Sequence, residues 1–243
     1  MAISQHLYNT FTPPPVRSGK RVYLASIPLV RQLTPASQLT WRAVGICERF
    51  ASAALFAALS PVLAGSALAV SLLSGRTPLI AHRRVGFRGE PLWMLKLRTM
   101  WGQEQTGVRR RSRWVEYVED HAGPERKQTG DPRVTSRFAR FCRRHSIDEL
   151  PQLWHVVRGE MSLVGPRPVT AEELHRYYGA SAEELLQVRP GLAGLWQISG
   201  RNRLTYSERK QLDLDLVRNR TLRLYLKILL RTIPEVWSGT NAW

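Results

Sequence analysis

Between Phe50 and Leu73 lie 24 consecutive residues without a charge, a length that can cross a bilayer as one helix. That run constrains the chain more than any other feature. A plain transmembrane span is one reading, and two observations favour another. Ser60-Pro61 falls near the middle of the run, where proline removes a backbone hydrogen bond and bends or breaks a helix. Both flanks are positive: Arg42 and Arg49 precede it, and Arg76, Arg83, Arg84 and Arg88 follow. A spanning helix shows its Lys/Arg excess on one side. A segment that dips into the membrane at Ser60-Pro61 and returns to the same face satisfies both observations.

The formal net charge is +17, which calls for an anionic partner: nucleic acid, lipid headgroups or a phosphorylated substrate. No zinc-finger spacing or RNA-recognition motif appears, and the basic residues are scattered beside the apolar run. Attraction to an anionic membrane explains the charge better than nucleic acid does. Cys47 and Cys142 are too few for a disulfide framework and suit a reducing compartment. No apolar stretch near the start has the form of a signal peptide. Three regions follow: a Pro/Ser/Thr/Gln-rich tail over 1–38, a membrane-associated segment over 39–76, and a catalytic domain over 77–243.

The expected fold class is α+β and mainly helical. Leu79 to Thr99 reads as a β-hairpin turning at Arg88-Gly89-Glu90-Pro91, with Lys96 and Arg98 on one side of its second strand. Gln103 to Gln128, with Arg109, Arg110, Arg111 and Arg113, reads as a partly helical basic surface insertion. Thr170 to Gln187 reads as helical, with Thr170–Glu173 and Ser181–Glu184 both shaped like capping boxes. Leu212 to Leu230 mixes apolar residues with Arg218, Arg220, Arg223 and Lys227, the pattern of an interfacial amphipathic helix. Tyr225, Trp237 and Trp243 suit the headgroup level or a core.

The densest chemistry lies in Ser146-Ile147-Asp148-Glu149-Leu150-Pro151-Gln152-Leu153 and, downstream, Gly165-Pro166-Arg167-Pro168. Pro151 suits a first helical position, so a short helix is expected over Pro151 to Arg158, stopped by Gly159. Asp148 and Glu149 would then sit at the positive end of its dipole. Two adjacent carboxylates also offer hard oxygen ligands for Mg²⁺. Arg167, with Pro166 and Pro168 fixing the backbone on either side, is suited to bidentate phosphate contact.

The string SIDELPQLWHVVRGEMSLVGPRP resembles the signature of the bacterial sugar transferases, monotopic polyprenyl-phosphate phosphoglycosyl transferases. Further matching pieces are His82–Gly86, Lys96–Met100, Asp131–Thr135 and Arg189–Asn202, and the resemblance runs from about Trp41 to the C-terminus. It implies the same re-entrant membrane helix, at the cytoplasmic face of the inner membrane. It also implies transfer of a hexose-1-phosphate from a UDP-hexose to undecaprenyl phosphate, with release of UMP, at the start of exopolysaccharide assembly. Asp148 would be the nucleophile and Glu149 its support, with Mg²⁺ as cofactor. Lys96, Arg98, Arg133, Arg189 and Arg201 become candidates for diphosphate or nucleotide contact, each weighed against a structural ion pair. Pro190-Gly191 and Gly194 suggest a tight loop that lets backbone approach a ligand, and Trp196 either stacks on uracil or packs in the core. Without a large N-terminal multi-span region, the chain looks like the family's minimal catalytic form.

This chain departs from the family pattern at Glu48 (usually Asp), His82 (commonly Gln), His155 (usually Asn) and Tyr225 (frequently Asp); the last puts an ion pair there in doubt. The histidines lack metal-ligand spacing and read as structural. Competing readings are a transferase moving the sugar alone and a non-catalytic basic membrane adaptor. The donor sugar, galactose or glucose, stays open, as does the oligomeric state, a homodimer included.

Overall fold

The computed structural model describes residues 35–101, 108–111, 114–119, 134, 136–200 and 204–238. The fold is mostly helical with a small sheet. Helix α1 (Pro35–Ser74) contains the whole apolar run and continues through Pro61. Proline at 61 cannot donate to the carbonyl four residues back, that of Ala57. The Ser60 hydroxyl donates to that same carbonyl at 2.8 Å. The expected interruption is therefore compensated locally, and the helical pattern persists.

A stripe along α1 faces the rest of the protein from Trp41 to Val70. Trp41 and Val44 pack with Val164, Leu216, Tyr225 and Ile228. Further along, Phe56 meets the Trp154 ring at 6.1 Å, and Ala67 and Val70 join Leu97 and Cys142 in a core cluster. The opposite face leaves Phe50, Leu68 and Leu72 exposed. One helix thus has one face packed on the protein and an apolar face left exposed.

The expected hairpin is present as β1 (Leu79–Val85) and β2 (Pro91–Leu97), antiparallel from Leu79↔Leu97 to Val85↔Pro91. Its turn holds Arg88 at φ 56 and Gly89 at φ 82. The described parts of the basic insertion are strands, not helix: β3 (Val108–Arg111) and β4 (Val115–Glu119), in the sheet order β2-β1-β4-β3. Val115 and Val118 are wholly buried and Tyr117 nearly so; β-branched and aromatic residues favour a pleated, packed surface. Arginine density hid that preference in the sequence.

Helix α2 (Arg137–Arg144) leads into a 3₁₀ segment, Ile147–Gln152, and then α3 (Leu153–Val157). The helical path therefore begins before Pro151, and Asp148 and Glu149 lie inside the 3₁₀ turn rather than ahead of it. Gly159 takes φ 73 after α3, as its stop role requires. Strands β5 (Ser162–Val164) and β6 (Gly191–Ala193) pair in parallel. A Cβ on Gly191 would lie 2.0 Å from the Gly165 nitrogen, so this glycine admits another backbone rather than a ligand.

Thr170 caps α4 (Ala171–Glu173) with the full reciprocal box. The path continues through a π turn, Leu174–Tyr178, breaks at Gly179, and resumes as α5 (Ala182–Leu185). Ser181 makes no side-chain cap there, so the second expected box is absent. A box missed in the sequence, Thr205 with Glu208, starts α7 (Tyr206–Arg218), which follows α6 (Leu195–Ser199). The single helix expected over Leu212–Leu230 is divided between α7 and α8 (Leu222–Ser238).

Candidate active site

The 3₁₀ turn carrying the carboxylates packs against β2, α1 and α3. Ser146 enters it at φ 54, a left-handed conformation that costs energy in a non-glycine residue, and its carbonyl accepts the Glu149 N–H at 3.0 Å. Asp148 is buried, 8 % exposed. Glu149 is more open and accepts a charged hydrogen bond from Lys96 Nζ at 2.8 Å. The structure thus brings Lys96, near the end of β2, onto Glu149. Among the described residues no three His, Cys, Asp or Glu side chains group into a metal cage.

Arg98 has a different fate. It is 4 % exposed, and its Nη2 donates to Glu116 at 2.9 Å and to Thr77 Oγ1 at 3.1 Å, while Nε donates to the Thr77 carbonyl at 2.8 Å. This is the structural ion pair weighed against phosphate contact for this residue, and it separates Arg98 from Lys96 despite their two-residue spacing.

Arg167 leaves β5 after Gly165 and the buried Pro166, with half-buried Pro168 on its other side. Its backbone N–H donates to Asp213 Oδ1 at 3.2 Å, and its guanidinium lies 5.5 Å from the Trp196 ring centroid. Asp213, fully buried on α7, also accepts from the Tyr178 hydroxyl at 3.1 Å. Burial pushes the Asp213 carboxyl up to about 7 despite these bonds and the nearby charges of Arg167 and Arg209. Arg209 lies 5.4 Å from the same Trp196 ring. The sequence reading passed over Arg209, Asp213, Tyr178 and Tyr206. The helical spacing of Tyr206, Arg209 and Asp213, which puts all three on one face, was the available signal.

Arg189 stacks at 5.2 Å on the Phe87 ring, which Arg88 also approaches at 4.9 Å. Burial holds the Arg189 guanidinium below its ordinary value, and the Arg49 charge adds to that shift. Arg133 and Arg201 lie outside the described residues, as do the N-terminal tail to residue 34 and Trp243.

Three departures from the family pattern, Glu48, Tyr225 and His155, form two structural locks. Glu48 is buried where α1 meets β5; it accepts from Ser162 Oγ at 2.6 Å, the Leu163 N–H at 3.0 Å and the Tyr225 hydroxyl at 2.5 Å. Tyr225 therefore supplies a charge-assisted hydrogen bond instead of an ion pair. His155 accepts the Leu95 N–H on Nε2 at 3.1 Å and meets Glu160 through Nδ1 at 2.6 Å, which makes it structural.

Comparison with known proteins identifies the family. The bacterial sugar transferase family model matches residues 40–239. The chain is 42% identical over 167 residues to the exopolysaccharide production protein ExoY of Rhizobium meliloti, covering 69% of this chain and 73% of that protein. It is 39% identical over 226 residues to a UDP-glucose:undecaprenyl-phosphate glucose-1-phosphate transferase of Caulobacter vibrioides, covering 87% and 77%. Against a UDP-galactose-lipid carrier transferase of Erwinia amylovora it is 41% identical over 169 residues, covering 70% of this chain but 35% of that protein. A family match over most of the chain, together with relatives of this identity and coverage, places the protein in the bacterial sugar transferase family.

Proposed function

We propose that the protein transfers a hexose-1-phosphate from a UDP-hexose to undecaprenyl phosphate at the cytoplasmic face of the inner membrane, releasing UMP and priming exopolysaccharide assembly. The observation that carries the reading is a buried Asp148 beside the Lys96-paired Glu149, on a turn packed directly against the apolar helix α1. The Caulobacter relative, a UDP-glucose:undecaprenyl-phosphate glucose-1-phosphate transferase by name, supports the same chemistry.

In this reading Asp148 attacks the phosphorus bonded to the sugar. A new carboxylate–phosphorus bond forms, the phosphoanhydride bond breaks, and UMP departs with the bonding electron pair. A phosphate oxygen of the polyprenyl acceptor then attacks the same phosphorus, and the Asp148–phosphorus bond breaks. Lys96 holds Glu149 by a charged hydrogen bond beside the reacting group, where it can support charge or proton movement. The donor set suits Mg²⁺, which takes one or two carboxylates plus substrate phosphates; when bound, it would offset the negative charge of the diphosphate. Arg167 supplies a positioned guanidinium for phosphate oxygens.

The membrane arrangement proposed is a re-entrant one, with residues 39–76 as the membrane-associated element of a catalytic unit over 77–243. Support comes from α1, both ends of which pack on the rest of the chain, Val44 against Tyr225 and Ile228 and Val70 against Leu97 and Cys142. A spanning helix would carry those ends to opposite sides of the bilayer. Helix α8 adds a second apolar face, with Leu222, Leu226, Leu230 and Ile233 exposed at helical spacing beside Arg223, Lys227 and Arg231, the form of an interfacial helix.

A panel of sugar nucleotides with undecaprenyl phosphate and Mg²⁺ tests the reading. Release of UMP with one hexose donor is expected. Release of UDP would instead establish transfer of the sugar alone, and no turnover with any donor would favour the adaptor reading.

A further inference from the structure

Arg209 is 5 % exposed, yet its Nε and Nη2 have no hydrogen-bond partner. Buried polar groups are nearly always satisfied, and guanidinium groups carry a higher penalty than neutral ones when they are not. The neighbours do not relieve it. Asp213, one turn along α7, commits its two oxygens to the Arg167 N–H and the Tyr178 hydroxyl. Glu173 is taken up in the Thr170 cap. Tyr206, in the same cluster, also has a buried hydroxyl without a partner.

A second cation sharpens the point. Arg167 and Arg209 both lie against the Trp196 ring, at 5.5 and 5.4 Å from its centroid. Two guanidiniums held at one indole repel each other, and burial together with the Arg167 charge lowers the proton affinity of Arg209. A fold keeps such a pair when an anion with several acceptor oxygens completes it. A phosphate ester fits, since its oxygens can take donors from both forks and from a tyrosine hydroxyl.

We infer that Arg209, with Arg167 across Trp196 and the Tyr206 hydroxyl, forms a two-guanidinium site for a phosphoryl group of a reaction substrate. The inference rests on the proposed phosphosugar transfer for the identity of that substrate. Two sources share the chemistry: the diphosphate of the sugar nucleotide and the phosphate of the lipid acceptor. Asp213 is a positioning residue here, because it holds the Arg167 backbone and touches no substrate.

The test uses the full chain in lipid nanodiscs. Arg209→Met and Arg209→Lys are compared with wild type and with Arg218→Gln, a control that removes only an exposed ion pair to Glu184. In a two-step covalent reaction, kcat/KM for each substrate reports its own half-reaction. Arg209→Met should lower kcat/KM for one substrate by roughly ten- to a hundredfold and leave the other within about twofold; which one falls identifies the source of the phosphate. Inorganic pyrophosphate should raise the thermal unfolding midpoint of wild type and of Arg218→Gln but not of Arg209→Met. Unchanged kinetics in both Arg209 variants would overturn the inference. So would equal losses for both substrates accompanied by a lower unliganded midpoint, which is the mark of a structural arginine. Should Arg209→Met fail to fold, Arg209→Lys keeps the charge without the fork, and a wild type indifferent to pyrophosphate still refutes the site. A wild type inactive with every sugar nucleotide would sink the proposed function alone, since the pyrophosphate comparison does not depend on turnover.

Discussion

The Arg98–Glu116 pair offers a direct way to separate a structural cation from a phosphate ligand. Both side chains are nearly inaccessible, at 4% and 2% exposure, and Arg98 also donates to Thr77. Removing one partner of a buried pair strands the other charge and costs about 3–5 kcal/mol. Glu116→Leu alone should therefore be strongly destabilising. For a chain of this size each kcal/mol moves Tm by about 2–4 °C, so the expected fall is roughly 6–20 °C. Replacing both partners, Arg98→Met with Glu116→Leu, removes the stranded charge, and apolar substitutes of similar volume are often neutral. Most of the lost Tm should return in the double variant, a coupling that a double-mutant cycle reads directly. Turnover of the double variant should stay within a few-fold of wild type, because Arg98 faces Glu116 and Thr77. A double variant that melts at the wild-type temperature but has lost tenfold or more in kcat/KM for the sugar nucleotide would refute this reasoning and restore Arg98 as a phosphate ligand.

Three further outcomes are expected. Asp148→Asn should abolish turnover while membrane association and the unfolding midpoint stay close to wild type, because an amide cannot replace the nucleophile; activity above a few per cent of wild type under excess Mg²⁺ would rule out the covalent role. In a Cys47→Ser background, cysteines introduced at Gln38 and Ser74 should be labelled alike from the cytosolic side; opposite labelling would establish an ordinary span. Asp213 has its folded pKa raised from 3.8 to about 7, so the stability it contributes is full below about pH 4 and is lost as pH rises through about 7. Relative to Asp213→Asn, wild type should lose roughly 4 kcal/mol across that window, read from urea midpoints; parallel pH profiles for the two proteins would show that Asp213 is not the titrating group.

The sequence made legible whatever depends on neighbours along the chain. The β1–β2 hairpin declared itself through the Arg88-Gly89-Glu90-Pro91 turn, and the Thr170 box through its three-residue spacing. The break between α7 and α8 at Asn219–Thr221 escaped notice because apolar residues continue across it in helical register. Contacts across longer distances were not visible at all. Arg98 reads as a phosphate candidate until Glu116, 18 residues away, is seen to take it, and Lys96 acquires its role only when Glu149, 53 residues on, is placed beside it. The same limit hid Arg209, whose unsatisfied nitrogens are a property of the folded surroundings.

Helix α1 shows why a hydropathy reading stops short of the mechanism. Its average composition describes a membrane segment, yet Glu48, Ser52 and Ser66 within it are buried, which is costly in lipid unless the face they occupy is turned toward protein. Glu48 satisfies that condition through Ser162, Leu163 and Tyr225. The same face carries Phe56 onto Trp154 and Val70 into the cluster with Leu97, Cys142 and Ile147. Ile147 directly precedes Asp148, so the helix with the exposed apolar face also braces the turn bearing the carboxylates. In the proposed membrane arrangement that linkage would set the depth of Asp148 relative to the bilayer. A lipid phosphate confined to the headgroup layer and a nucleotide confined to water could then meet at one carboxylate, as the proposed two-step transfer requires.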